Sequence, residues 1–395
     1  MLSISRLFTA PFYNAFYNEN KKDFVPISPD FYERQERDIK LLAYYLPQFH
    51  AIPLNDKNLG RGFTEWDNVT KAKPQFKGHH QPQLPIDVGF YDLSHDDVMY
   101  RQVELARQYG IYGFCFHYYW FGKGKRLLEK PIFNWLHNKE LDFPFCLCWA
   151  NENWSTLWDG GNRNVIMEQK MEAETYSDFF DDILPFIKDE RYICIDGKPM
   201  LTVYRPTLFT NEEFVYFVEG LQKMAKSAGF EKGLYIISTN ALQKRETLID
   251  AAQWGVDAIS EFPPHCIPRL KKIKGTIMNS QAKIARRKMA GFIKRREYEF
   301  DYGQKVFRGV FPSWDNTARK TYSGGQVYDG VTPELYRQWL SDSIRWTQQH
   351  MSAEEQFVFI NAWNEWAEGA HLEPDKRYGY AYLKATREAV EQNRN

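Results

Sequence analysis

The sequence predicts an α/β protein: a (β/α)8 TIM-type barrel with long βα loops and an N-terminal extension. Three observations carry that expectation. Eight short runs rich in β-branched and aromatic residues recur along the chain, helix-like stretches separate most of them, and polar side chains gather where the runs end. Short continuous apolar runs suit strands buried on both faces of a parallel sheet. Strand–helix alternation through eight repeats favours a closed barrel. An open doubly wound sheet is the competing arrangement. It commonly has a Gly-rich phosphate loop after its first strand, and YLPQFHAIP stands there instead.

Residues 1–37 mix aromatic and polar residues without a sustained period and read as an extension, closed by the charged run ERQERD. Residues 38–395 form the barrel. Its expected strands are IKLLAYYLP (39–47), YGIYGFCFHYYW (109–120), FPFCLCWAN (143–151), PMLTVYRP (199–206), GLYIISTN (233–240), AISEFP (258–263), GVFPSWDN (309–316) and FVFINAWNEW (357–366). Between the first two, residues 95–109 place Val98, Val103 and Leu105 among polar residues, and Gly110 marks the helix end. Near the C-terminus Thr332-Pro333-Glu334 supplies a cap, a proline at the first helical position and a first-turn acid. The stripe Leu335, Trp339, Leu340, Ile344 and Trp346 follows. Two connections are long: 48–94 after the first strand, and a basic insertion at about 264–306.

Composition narrows the function classes. With 395 residues, 43% hydrophobic, the chain has ample apolar content for a core, which excludes disorder as its main state. Lys+Arg and Asp+Glu are equal at 51 each, so the balance argues against a nucleic-acid binder. No run approaches the roughly 18 apolar residues of a membrane span. Five cysteines make no disulfide framework, and buried reduced thiols are expected. The first residues lack an apolar stretch followed by a small-residue cleavage site, which favours the cytoplasm.

In a barrel the strand ends converge on one mouth, where active sites form. The polar residues at those ends are Gln48 and His50; His117 and Tyr119; Trp149, Asn151, Glu152 and Trp154; Tyr204; Glu261; Trp314; and Asn364, Glu365, Trp366 and Glu368. Aromatic faces, amides and acids without a phosphate cradle suit a carbohydrate. Glu365 and Glu368, three apart, are the expected catalytic pair. Two neighbouring carboxylates acquire different pKa values and so supply a proton donor and a base. The structural alternative is that one of them pairs with Arg205 or caps a helix. Glu65 and Trp66, on the first long loop beside Asp67, are further candidates for binding sugar hydroxyls, with loop stabilisation as the alternative. The spacing of His50, His79, His80 and His117 matches no metal-ligand pattern, so neither metal nor cofactor is expected. Residues 269–296 hold eleven Lys or Arg and no acid. A solvated insertion is the favoured reading. The competing one is peripheral contact with a membrane surface through an apolar strip of Ile284, Met289, Phe292 and Ile293.

Several long motifs in order carry a family resemblance: LLAYYLPQFHAIPLND, GFTEWDNV, QPQLPIDVGFYDL, YGIYGFCFHYYWF, LDFPFCLCWANENW, IDGKPMLTVYRP, FPSWDNTARK and FINAWNEWAEGAHLEPD. The chain resembles the WbsX-type proteins, a group similar to glycoside hydrolase family 99, over 39 to about 385. That resemblance implies a (β/α)8 barrel and a retaining, metal-independent activity on α-linked, manno-configured glycans. Carried onto NEWAEG, it makes Glu365 the group acting on the substrate 2-hydroxyl and Glu368 the general acid/base, through a 1,2-anhydro sugar, with Tyr44, Tyr204 and the tryptophans as lining groups. The wider divergence of the WbsX-type branch leaves mannose specificity open. Three functions follow: a hydrolase or transglycosylase on a bacterial polysaccharide, a glycosyltransferase in lipopolysaccharide or cell-surface polysaccharide biosynthesis, and a non-catalytic glycan-binding protein. The expected partner is a polysaccharide or glycolipid substrate.

Overall fold

In the first described strand, six residues from Lys40 to Tyr45, all but the first residue are buried, as expected of a strand covered on both faces. The computed structural model describes residues 22–156, 164–241, 243, 248–267, 284–320 and 325–394. The barrel strands are β1 (Lys40–Tyr45), β2 (Gly113–Trp120), β3 (Phe145–Trp149), β4 (Lys198–Val203), β5 (Tyr235–Thr239), β6 (Ala258–Ser260), β7 (Val306–Phe307), β8 (Gly309–Val310) and β9 (Phe357–Ile360). They pair in parallel in the order β7-β6-β5-β4-β3-β2-β1-β9-β8. β7 and β8 are one stave interrupted at Arg308. Phe307 O accepts from Glu261 N at 2.9 Å on one side, and Arg308 O accepts from Phe359 N at 2.9 Å on the other. The ring therefore closes.

Helices α1 (Pro53–Leu59) and α2 (Glu65–Lys71) organise the first long loop. α3 (Asp97–Gln108), α4 (Lys130–His137), α5 (Tyr176–Ile187), α6 (Asn211–Ser227), the short α7 (Ala290–Lys294), α8 (Pro333–His350) and α9 (Ala381–Gln392) follow along the chain. α8 begins as its sequence dictates, with the Thr332 side chain accepting from Leu335 N and Pro333 at the first helical position. Alternation along β2 divides its side chains. Phe114 and Phe116 pack outward on Trp135 of α4, while His117 turns inward to stack on Tyr44 at 5.5 Å.

Several expectations need correction. The seventh strand spans 306–310 rather than 309–316, because Trp314–Asn316 pairs with another segment: Tyr328 N donates to Trp314 O at 3.0 Å. Between β5 and β6 no helix appears among the described residues; the chain crosses on turns at 251–255. Cys194 is exposed, whereas Cys115, Cys146, Cys148 and Cys266 are buried.

The basic insertion also differs. Residues 268–283 lie outside the described residues. Ala285–Lys288 forms a strand parallel to Gln326–Asp329, and Met289, Phe292 and Ile293 are buried in the core, Phe292 against Trp339 at 6.1 Å. Those three residues therefore complete the barrel wall and are not available as a lipid-facing strip. Of the extension, residues 1–21 lie outside the described residues. The rest straps the first and last elements together: Tyr380 N donates to Val25 O at 2.9 Å, and Arg394 pairs with Asp38 at 2.9 Å. No helix among the described residues is long and apolar enough to cross a membrane.

Candidate active site

After β9 the chain makes a short strand, Asn364–Glu365, paired antiparallel with Ala370–His371. A single 3-10 turn, Trp366–Glu368, joins the two, and Gly369 ends it at φ 59. That left-handed conformation suits glycine. A Cβ there would also meet the Asp315 backbone nitrogen at 3.0 Å. Glu365 and Glu368 thus leave one tight hairpin at the end of the last strand. Glu65 arrives from the opposite side. It is the first residue of α2, whose cap Thr64 accepts from Trp66 N while Asp67 accepts from Thr64 N. Asp67 is spent on the cap and Glu65 is left free to point inward.

The three glutamates meet on one cation. Arg319 Nε lies 3.1 Å from Glu65 Oε2, Nη2 lies 2.9 Å from Glu365 Oε2, and Nη1 lies 2.8 Å from Glu368 Oε1. The arginine is 5% exposed. Burial opposes its charge, and the three carboxylates more than offset that and hold it charged. One guanidinium cannot neutralise three acids. Burial pushes the Glu365 carboxyl up to about 8 against the pull of Arg319, and Glu368 and Glu65 add to the rise. Burial likewise raises Glu65. Around neutral pH, therefore, Glu365 keeps a proton within reach of two further glutamates held on the same cation. Neighbouring carboxyls on one cation can serve as proton donor and proton acceptor.

Aromatic and imidazole rings line the inner wall. Tyr44 packs edge-on to Phe262 at 4.8 Å, and Phe262 packs edge-on to Tyr204 at 5.1 Å. Tyr119 lies 6.4 Å from His117, and His265 lies 5.9 Å from Trp314. Burial pushes His117 down to about 4, helped by Arg319, so it is neutral. Its Nδ1, the Tyr44 hydroxyl and the Trp314 indole nitrogen are buried without a protein partner. Such atoms are costly unless something else satisfies them.

The structure brings Tyr44, Glu65, His117, Tyr119, Tyr204, Trp314, Glu365 and Glu368 to this mouth. The other expected residues are engaged elsewhere. The Asn364 amide is spent on the backbone of Leu46, at 2.7 and 3.0 Å, and clamps β1 to the hairpin. Asn151 clamps Arg205 in the same way, at 2.7 and 2.8 Å. Trp149 packs outward on Phe179 and Phe217, and its indole donates to Trp120 O. Glu261 pairs with Arg308 at 3.2 Å and accepts from Gly309 N, so it seals the interrupted stave. Trp66 donates to Tyr91 O at 2.8 Å, Trp154 donates to Asn55 at 3.0 Å, and His50 Nδ1 is held on Pro47 O at 3.0 Å. Glu152 is paired with Arg205 near Tyr204. These contacts give each of these residues a structural role. Arg319, Phe262 and His265 were not anticipated. The signal for Arg319 was physical: acids gathered in a buried mouth require a cation.

Trp366 illustrates the supporting layer. Its indole donates to Glu373 Oε2 at 2.6 Å, which also accepts from the Tyr91 hydroxyl at 2.9 Å. Oε1 accepts from Gln102 at 2.7 Å and Trp363 at 3.1 Å. Four donors converge on two oxygens. Glu373→Gln turns one acceptor into a donor facing donors and is expected to cost about 2 kcal/mol. The urea midpoint of unfolding checks this; an unchanged midpoint contradicts the assignment.

Among the described residues no group of three or more His, Cys, Asp or Glu is placed to hold a metal ion. A family described as "Glycosyltransferase WbsX" matches residues 41–386. The chain belongs to the WbsX family. It is 41% identical over 356 residues to the uncharacterized protein WxcX of Xanthomonas campestris pv. campestris, covering 89% of this chain and 49% of that protein. The chain thus spans about half the length of the curated relatives it matches. Among solved structures, the GH99 endo-alpha-mannosidase from Bacteroides thetaiotaomicron shares the fold at a TM-score of 0.54 and 13% identity, covering 91% of this chain and 98% of that one. A glycoside hydrolase-like protein shares it at 0.52 and 14%, covering 94% and 98%. The WbsX-type, family-99-like resemblance and the (β/α)8-like barrel both stand.

Proposed function

We propose that this WbsX-family chain is a glycan-acting enzyme that moves a glycosyl unit from one oxygen to another at the barrel mouth during cell-surface polysaccharide assembly. One observation carries the reading: Glu365 and Glu368 leave a single hairpin at the end of the last strand and share the guanidinium of Arg319. The family description supports transfer.

The pair enters the reaction carrying one proton. With a sugar bound, that proton lies on Glu368 and the substrate 2-hydroxyl docks on Glu365. Glu365 takes the hydroxyl proton as O2 attacks the anomeric carbon, and Glu368 protonates the leaving oxygen as its bond to carbon breaks. A 1,2-anhydro sugar results. Glu368, now a base, deprotonates an acceptor hydroxyl that attacks the anomeric carbon as the carbon–O2 bond of the anhydro ring breaks, and Glu365 returns its proton to O2. A sugar acceptor gives transfer, and water gives hydrolysis. Hydrolysis of an α-linked, manno-configured glycan is the second reading, favoured by the fold shared with the GH99 endo-alpha-mannosidase.

Incubating the protein with bacterial polysaccharides and aryl α-glycosides, with and without sugar acceptors and nucleotide sugars, separates these readings. Products lengthened on the acceptor by the wild type, and not by Glu368→Gln, support transfer. New reducing ends alone support hydrolysis. Affinity that survives Glu365→Gln and Glu368→Gln with no turnover anywhere contradicts both and leaves a glycan-binding protein.

A further inference from the structure

Next to the Glu368 hairpin lies a second cleft, which shares Trp314 with the mouth and whose other walls take no part in the chemistry above. Its walls come from the first long loop (Phe76, His80), from the segment that pairs across Trp314–Asn316 (Trp314, Tyr328) and from the approach to α9 (Arg377, Tyr382). It is tied to the reacting turn directly, since Asp315 N donates to Glu368 O at 2.7 Å. A buried pair holds the wall rigid. His79 Nδ1 accepts from Gln75 N at 2.9 Å, which leaves Nε2 to donate to Asp315 Oδ2 at 2.6 Å.

Several polar groups here have no protein partner. Tyr382, 5% exposed, buries its hydroxyl unpaired, and Trp314, 2% exposed, buries its indole nitrogen unpaired. Among the described residues neither the His80 ring nor the Arg377 guanidinium has a hydrogen-bond or ion-pair partner; Arg377 lies over the Tyr378 ring at 4.7 Å. The acids beside them are already committed: Asp315 to His79, Asp329 to Arg286, and Asp375 to the backbone nitrogens of Arg377 and Tyr378. Hydrogen-bond donors without acceptors, set among aromatic rings, match the hydroxyl oxygens and C–H faces of a pyranose.

We infer that this cleft is an accessory glycan subsite, holding an uncharged sugar residue of the same chain whose neighbouring unit reacts at Glu365 and Glu368. The inference rests on the proposed glycan activity and adds to it that the substrate is a chain, gripped on both sides of the hairpin.

The test uses α-linked mannooligosaccharides from two to six units. For the wild type, KM is expected to fall about tenfold between the shortest and longest members. In Arg377→Ala and His80→Ala that ratio collapses to about one. Direct binding of the six-unit chain to Glu368→Gln, compared with Glu368→Gln carrying Arg377→Ala, reads the same loss without turnover. Matched thermal midpoints show that the variants fold. Wild-type turnover with the same KM at every length, or an undiminished length effect in both variants, overturns the subsite and leaves the proposed activity standing. No turnover at any length in the wild type counts against the manno-configured reading, and the subsite is then overturned if the six-unit chain binds Glu368→Gln no more tightly than it binds Glu368→Gln carrying Arg377→Ala.

Discussion

Glu368→Gln is expected to lower glycosyl turnover by about 10²–10⁴-fold, the usual contribution of a positioned acid/base. In the proposed reaction the residue protonates the leaving oxygen in one step and activates the acceptor in the next, so both steps lose their proton carrier. The loss belongs in kcat, because the neutral amide still fills the same space beside Arg319. Folding is expected to survive. Glu368 is partly solvent-accessible, and Arg319 keeps Glu65 and Glu365. Steady-state kinetics with a thermal-unfolding control checks this. Turnover within a few-fold of wild type shows that the reaction runs elsewhere.

Arg319→Met is expected to be worse in both respects. It removes the one cation that Glu65, Glu365 and Glu368 share. Breaking a buried ion pair from one side typically costs about 3–5 kcal/mol, because the partner charges are left uncompensated. The carboxyls then escape by taking up protons, so the base needed for the first step is depleted. Arg319→Lys separates charge from shape. A lysine ammonium restores the charge but cannot span three carboxylates as the planar fork does. Partial recovery of the urea midpoint without recovery of turnover is the expected pattern. Full activity in Arg319→Lys shows that charge alone suffices.

Much of this architecture was legible in the residues. The eight apolar runs read as strands because each is short, continuous and rich in β-branched or aromatic side chains, and the α8 cap was written out as Thr332-Pro333-Glu334. The pairing of Trp314–Asn316 with 326–328 was not legible, because that contact depends on where the stave breaks at Arg308 rather than on local propensity. At the site, NEWAEG put both glutamates on one turn. Pattern alone could not separate a polar residue aimed at the mouth from one spent on its neighbours. Asn364, Asn151 and Glu261 sit at strand ends as binding residues would, yet each closes a backbone gap. Arg319 was hidden for the opposite reason. It stands in NTARK without a motif of its own, and its importance appears only when two segments distant in sequence bring three acids to it.

The pH dependence of kcat/KM on a turned-over glycan tests the central claim most directly. A pair that needs one proton works only while it holds one, and Glu365 lets its proton go at about 8. The profile is therefore expected to fall tenfold per pH unit on the alkaline side of about 8, and this limb is expected to vanish from the residual activity of Glu365→Gln. A rate that stays level well into the alkaline range, or a limb that persists unchanged in Glu365→Gln, contradicts the assignment of the chemistry to this pair.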